Sequence, residues 1–189
     1  MASVDVLVEG YARDDGEASR VAGTVSLIRA PGLLAIVDPG MVADRELILA
    51  PLRAMGIAPE TVTDVVLSHH HPDHTVNIAL FANARIHDTW AVYLGDLWTD
   101  RPAEGVVLAE GVTLWSTPGH TPQDITTIVE TDEGVVALTH LWWHAQMDGD
   151  PRATDLDALH ANRARVLEVA RFVVPGHGPA FGVDASTPR

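Results

Sequence analysis

The segment Ser68-His69-His70-His71-Pro72-Asp73-His74 sets four imidazoles and one carboxylate within seven residues, a donor set that suits zinc, iron and related divalent ions. In extended backbone, side chains two apart point the same way. His69 and His71 can therefore face one ion while His70 faces elsewhere. Asp73 and His74 fall where the chain turns into a helix, and they can reach a second point a few ångströms away. Two further histidines follow strand-like runs in Pro-Gly-His contexts, His120 in Thr117-Pro118-Gly119-His120-Thr121 and His177 in Pro175-Gly176-His177-Gly178-Pro179. The chain has ten histidines and no cysteine, so a metal must be held by His, Asp or Glu, and disulfides, thiolate ligands and a cysteine nucleophile are excluded. All 12 basic residues are arginine, which removes Schiff-base and P-loop lysine chemistry.

These donors need elements to carry them. Thr63 to Leu67 is a β-branched strand that runs into the histidine segment, and Asp73 to Leu80 reads as a short helix leaving it. Upstream, Val4–Val8, Gly23–Arg29 and Leu33–Val37 read as strands separated by an Asp14-Asp15-Gly16 turn and a Pro31-Gly32 turn. A helix is expected from Val42 to Met55, with Pro51 marking a kink or break. Downstream strands are expected at Ala84–His87, Val106–Leu108, Val112–Ser116, Ile125–Glu130, Val135–Thr139 and Phe172–Val174, and an amphipathic helix at Asp155–Ala170.

The 189 residues, with 47% apolar and 20% charged content, match one globular domain spanning 1–189. A formal charge of −14 disfavours nucleic acid or an anionic membrane as partner. No apolar run approaches the ~18 residues of a membrane span, and no basic stretch followed by an apolar one opens the sequence. The expected location is the cytoplasm.

The order HxHxDH, TPGHT and PGHG, with Val37-Asp38-Pro39-Gly40 upstream, resembles the metallo-β-lactamase superfamily across nearly the whole chain. Glu9-Gly10-Tyr11-Ala12, Gly23 to Ile28, Asn77 to Phe81 and Val173 to Phe181 are more similar to the group of metallo-β-lactamase domain-containing protein 1 than to the β-lactamases proper. The resemblance implies an α+β fold, a four-layer αββα sandwich with a metal pair at the sheet edges. It assigns His69, His71 and His120 to one metal and Asp73, His74 and His177 to the other, with Zn2+ as cofactor (one or two ions) and iron possible. Asp38 and Ser68 would orient the ligand loop.

The resemblance breaks at one position. The superfamily usually has a bridging Asp at the end of the strand after the TPGHT loop, and here that strand ends Leu138-Thr139-His140. An imidazole can ligate one ion, but a neutral ring cannot bridge two as a carboxylate does. His140 is read as a ligand, and occupancy by one or two metals stays open. Asp148 or Asp150 is a less favoured source of the missing carboxylate. Trp142, Trp143 and His144 follow closely and are candidates to wall a substrate cleft, the alternative for the tryptophans being core. His70 is expected exposed, His87 at a strand end and His160 on the solvated side of the last helix.

The implied activity is metal-assisted hydrolysis, with a cation-acidified water attacking an ester, thioester, lactone, amide or phosphoester of a small-molecule substrate and Asp73 orienting that water or taking its proton. The alternatives are a mononuclear iron oxidoreductase on the same fold and a non-catalytic metal-binding protein. The sequence gives no oligomeric state.

Overall fold

The computed structural model describes residues 1–189. The chain opens with five strands, β1 (Ser3–Val8), β2 (Tyr11–Asp14), β3 (Ser19–Ala22), β4 (Val25–Ala30) and β5 (Leu33–Val37), before α1 (Glu46–Ala54). β6 (Asp64–Val66) leads into the histidine segment and α2 (Pro72–Thr75), followed by β7 (Arg85–His87), β8 (Ala91–Leu94) and β9 (Leu97–Asp100). The second half runs β10 (Val106–Ala109), β11 (Val112–Ser116), β12 (Ile125–Thr131), β13 (Gly134–Leu138), α3 (Leu156–Leu167), β14 (Phe172–Val174) and β15 (Phe181–Gly182).

The strands form a seven-stranded sheet in the order β1-β4-β5-β6-β7-β8-β9 and a six-stranded sheet running in sequence from β10 to β15, with β2 and β3 as a separate hairpin. The period-2 alternation of the strands divides each apolar run between two layers. Ile28, Ala35, Val37 and Val66 meet Leu114, Val129, Leu138 and Val174 between the sheets. Their sequence neighbours Leu27, Ile36 and Val65 pack instead on Ile48 and Leu52 of α1. On the other side, Ile128, Ala137 and Val173 pack on Leu159 and Val166 of α3. The result is the four-layer αββα sandwich, helix over sheet over sheet over helix.

All three helices differ from their expected bounds, α3 by ending at Leu167, short of Ala170. α1 begins at Glu46 and continues through Pro51. Proline forfeits one ladder bond and its ring crowds the preceding turn, but buried Ile48 and Leu52 flank it and hold the helix together. The helix expected at Asp73–Leu80 is one turn, Pro72–Thr75, and a separate 3-10 turn at Ile78–Leu80, because the main-chain and side-chain amides of Asn77 both donate to the Gly40 carbonyl, at 3.3 and 3.0 Å, and pin the chain between the two. The β2–β3 and β8–β9 hairpins and β15 go beyond the expected strands.

Candidate metal centre

Five segments converge on one edge of the sandwich. β5 and β6 are parallel, with Val37 opposite Val66, and β13 and β14 are parallel, with Leu138 opposite Val174. Parallel pairing puts their C-terminal ends side by side, so Asp38, the His69–His71 segment, His140 and His177 leave the same rim. The His120 loop joins β11 to β12 at that rim. Backbone bonds tie it together: Ile125 N–H donates to Ser68 O at 2.8 Å, Gly23 N–H to Asp73 O at 2.8 Å and Thr24 N–H to Gly176 O at 2.8 Å. Two glycines permit the approach, since a Cβ on Gly23 would lie 2.7 Å from His74 Nδ1 and one on Gly176 2.4 Å from His140 Cδ2.

Four of the convergent rings share one arrangement. His69 Nδ1 lies 3.0 Å from Ser68 Oγ, His74 Nδ1 2.8 Å from Asp38 Oδ2, His120 Nδ1 2.7 Å from Asp150 Oδ2, and His177 Nδ1 3.1 Å from Ala22 O. In the neutral tautomer that donates Nδ1–H outward to these acceptors, Nε2 carries no proton and its lone pair faces inward. Asp38 also accepts Ser68 N–H at 2.7 Å through its other oxygen, which holds it at φ 51°, a left-handed conformation uncommon for a side chain other than glycine. His69 Nε2 and His74 Nε2 are buried with no hydrogen-bond partner. Buried imidazoles with an anchored Nδ1–H and a free inward nitrogen are the pattern of metal ligands fixed by outer carboxylates and carbonyls.

The inward atoms form overlapping sets. Ligand atoms of His69, His71 and His120 lie within 4.8 Å of one another, as do those of His69, His74 and His140 and those of Asp73, His74 and His177. His71 Nδ1 is 3.1 Å from His120 Nε2, and His140 Nε2 is 3.1 Å from His177 Nε2. Two nitrogens on one tetrahedral zinc stand about 3.3 Å apart. Asp73 Oδ2 is 3.5 Å from Nε2 of both His74 and His177. His140 sits between the sets, its ring centroid 4.5 Å from His69, 4.8 Å from His74 and 4.2 Å from His120. The donor chemistry and the unpartnered nitrogens fit a divalent cation.

Electrostatics favour neutral rings. Burial, then the neighbouring imidazoles, push His69 and His140 well below the ordinary histidine range. Burial and His120 lower His71, and burial and His74 bring His177 down to about 4. His74 is the exception: burial acts to lower it, but the charge and hydrogen bond of Asp38 outweigh burial and raise it. Neutral imidazole is the metal-binding form.

The structure therefore brings together His69, His71, Asp73, His74, His120, His140 and His177, with Asp38 and Ser68 behind them. The three proposed cleft residues separate. Trp143 lines a cleft of about 430 Å³ above the centre, with His71, Asp73, His120, His140 and His177 in its floor. Trp142 does not: adjacent residues point to opposite sides, and its fully buried indole lies in the core under α3, donating to Pro188 O at 2.9 Å. His144 is exposed and lies outside the cleft lining. His70 is half-buried, bonded to Asp88 Oδ2 at 3.1 Å. His87 ends β7, and His160 is exposed on α3. Asp150, considered as a source of the missing carboxylate, accepts from His120 Nδ1 and from Trp143 Nε1 at 3.2 Å, while Asp148 is exposed.

Sequence reasoning missed Asp124. It is buried below the His120 loop and accepts Thr121 N–H and Oγ1–H at 2.8 and 2.5 Å. Burial, opposed by those bonds, raises its carboxyl to about 6. The Thr-x-x-Asp spacing was the available signal. The β2–β3 hairpin, whose Ala12, Asp14, Ser19 and Val21 roof the cleft, gave none that pointed to the site.

With fold and centre in place, the class is defined: the chain belongs to the metallo-beta-lactamase superfamily, whose family model matches residues 18–184. It is 36% identical to metallo-beta-lactamase domain-containing protein 1 of Xenopus laevis over 96% of this chain and 82% of that protein. It is 35% identical to the Homo sapiens protein of the same name, over 99% of this chain and 85% of that one. Among solved structures, a quorum-quenching N-acyl homoserine lactone lactonase superposes with a TM-score of 0.69 at 18% identity, covering 93% of this chain and 91% of the lactonase. TTHA1623, in a di-iron-bound form, superposes with a TM-score of 0.65 at 21% identity, covering 85% and 89%. No helix is long and apolar enough to cross a membrane.

Proposed function

We propose that this protein is a metal-dependent hydrolase of a small ester, thioester, lactone, amide or phosphoester. The observation that carries the reading is the shared posture of His69, His74, His120 and His177, each anchored outward through Nδ1 and turned inward through Nε2. His69, His71 and His120 would hold one ion, Asp73, His74 and His177 a second, and His140 would ligate either. When bound, a divalent ion supplies an acidified water and polarises the oxygen under attack.

The chain's own residues do the rest. The cleft of about 430 Å³ is the size of a small-molecule site. Trp143 walls it, and Ala12, Asp14, Ser19 and Val21 of the β2–β3 hairpin border it. Asp73 stands in its floor with 16% of its side chain exposed, so its carboxylate can orient a water and accept the proton. Asp38 and Asp150 keep His74 and His120 in the ligating tautomer.

Zinc is the proposed ion and the cytoplasm the proposed setting. A second reading, a mononuclear iron oxidoreductase, is favoured by His140: six imidazoles and a single carboxylate leave two divalent ions poorly neutralised. A metal-binding protein without turnover is the third.

The test is elemental analysis of protein purified without chelator or a histidine tag, with a panel of small esters, thioesters, lactones, amides and phosphoesters. Two zinc ions and turnover of one class support the hydrolase. One iron and no hydrolysis would support the second reading, and a filled site with no rate on any substrate the third.

A further inference from the structure

The floor of the cleft is lined by His71, Asp73, His120, His140 and His177, and one guanidinium stands beside it. Arg152 is exposed and lines the cleft together with His71. Its side chain has no acceptor in the protein. Among the 12 arginines, which face 26 carboxylates, Arg13, Arg171 and Arg189 share this, but Arg171 and Arg189 lie outside the cleft lining. Arg20, Arg29, Arg53, Arg85 and Arg165 each sit on a carboxylate. Arg45 is bonded to the Asn77 side chain, and Arg101 and Arg163 to backbone carbonyls. Arg13 also borders the cleft, but it pairs with Arg20 across the β2–β3 hairpin while Ala12 pairs with Val21 and Asp14 with Ser19. By strand alternation its side chain takes the face opposite those cleft residues, and the guanidinium lies 5.1 Å from the Tyr11 ring.

Arg152 is also held in register with the centre. One oxygen of the buried Asp150 accepts Arg152 N–H at 2.8 Å, and the other accepts His120 Nδ1–H and Trp143 Nε1–H. A single carboxylate thus fixes a ring of the centre, the aromatic wall and the backbone of the free arginine. The one opposing carboxylate at the rim, Asp14, has an oxygen committed to Gly16 N–H at 3.0 Å.

We propose that Arg152 is the specificity-determining residue of this cleft, and that the substrate carries an anionic substituent, a carboxylate or phosphate, which the guanidinium binds while the reacting group lies over the histidine floor. A charge-assisted hydrogen bond of this kind strengthens binding by about ten- to a hundredfold. The proposal rests on the reading of the cleft as a substrate site, so its test measures binding, not turnover.

Zinc-loaded protein is titrated calorimetrically with two matched pairs of thiols, propanethiol against 3-mercaptopropionate and benzylthiol against 4-(mercaptomethyl)benzoate, with mercaptoethyl phosphate as the phosphate arm. Wild type is expected to prefer the anionic partner at least tenfold in one pair or with the phosphate. Arg152→Ala should erase that preference and Arg152→Lys retain part of it. Arg171→Ala, which removes an equal charge outside the cleft, should keep all of it. Equal binding of charged and neutral partners by wild type, or an undiminished preference in Arg152→Ala, would overturn the proposal while leaving the metal centre standing. Failure of every thiol to bind the zinc-loaded protein would overturn the reading of the cleft as a substrate site, and the proposal with it.

Discussion

Two buried histidine–aspartate pairs lie in the seven-stranded sheet region, and only one belongs to a site. His87 Nε2 lies 2.7 Å from Asp64 Oδ1, and His74 Nδ1 lies 2.8 Å from Asp38 Oδ2. Both rings are buried, and in both the second nitrogen has no hydrogen-bond partner. The difference lies in what surrounds that nitrogen. Around His74 Nε2 stand ligand atoms of His69, His140, Asp73 and His177. His87 belongs to no such convergence, and its Asp64 is shared with the half-exposed Arg85 at 2.9 Å. Pairing and burial alone thus make a structural hydrogen-bonded pair. A centre needs several inward lone pairs, gathered where parallel strands end together.

The contrast can be broken most sharply by deleting the rings. His74→Ala is expected to lose metal affinity by more than the ~10- to 100-fold typical of outer residues, whereas His87→Ala should bind as wild type. Competition with a chromophoric chelator measures both, and equal losses would erase the distinction. A smaller effect is expected one layer out. Asp38→Asn and Asp150→Asn should each weaken metal binding by about 10- to 100-fold, and Asp64→Asn should leave it unchanged.

Stability of the metal-free chain is a second readout for the Asp64 pair. Asp64→Asn removes a charged acceptor from His87 and Arg85, and urea melts at neutral pH should show a loss of about 1.5 kcal/mol. Acidity sharpens this further. Burial acts to raise the Asp64 carboxyl, but the His87 and Arg85 bonds prevail and lower it to about 2. The unfolded chain takes the proton first, so the stability is present above pH ~4 and is lost as pH falls from ~4 towards 2. Asp64→Asn should flatten that acid limb. An unchanged limb would mean that the pair contributes nothing to it.

The central donors were legible because their chemistry is local. HxHxDH on an extended segment fixes which rings share a side, and the two Pro-Gly-His turns follow strands whose ends meet at one rim. Layers of helix over sheet were legible in the order of strands and helices, and the four-layer sandwich came from the family resemblance. The alternation of Leu27 and Ile28 between two layers is seen only in the structure. What escaped depends on distant partners. Trp142 and Trp143 are adjacent and alike in composition, and only the packing of α3 sends one to the core. Asp150 could equally have ligated or oriented, and the choice is made by where His120 arrives from another strand. The β2–β3 hairpin and Arg152 gain their place from tertiary contact, with no periodicity to announce it.

His69 and His71 hang from the sheet containing β6, while His120, His140 and His177 hang from the sheet containing β13 and β14. An ion gripped by rings from both would rivet the sandwich at its mouth, adding to backbone hydrogen bonds such as that from Ile125 N–H to Ser68 O. Loading with cation should then raise the melting temperature and shield the rim loops from protease, and a chelator should loosen the molecule at that end first.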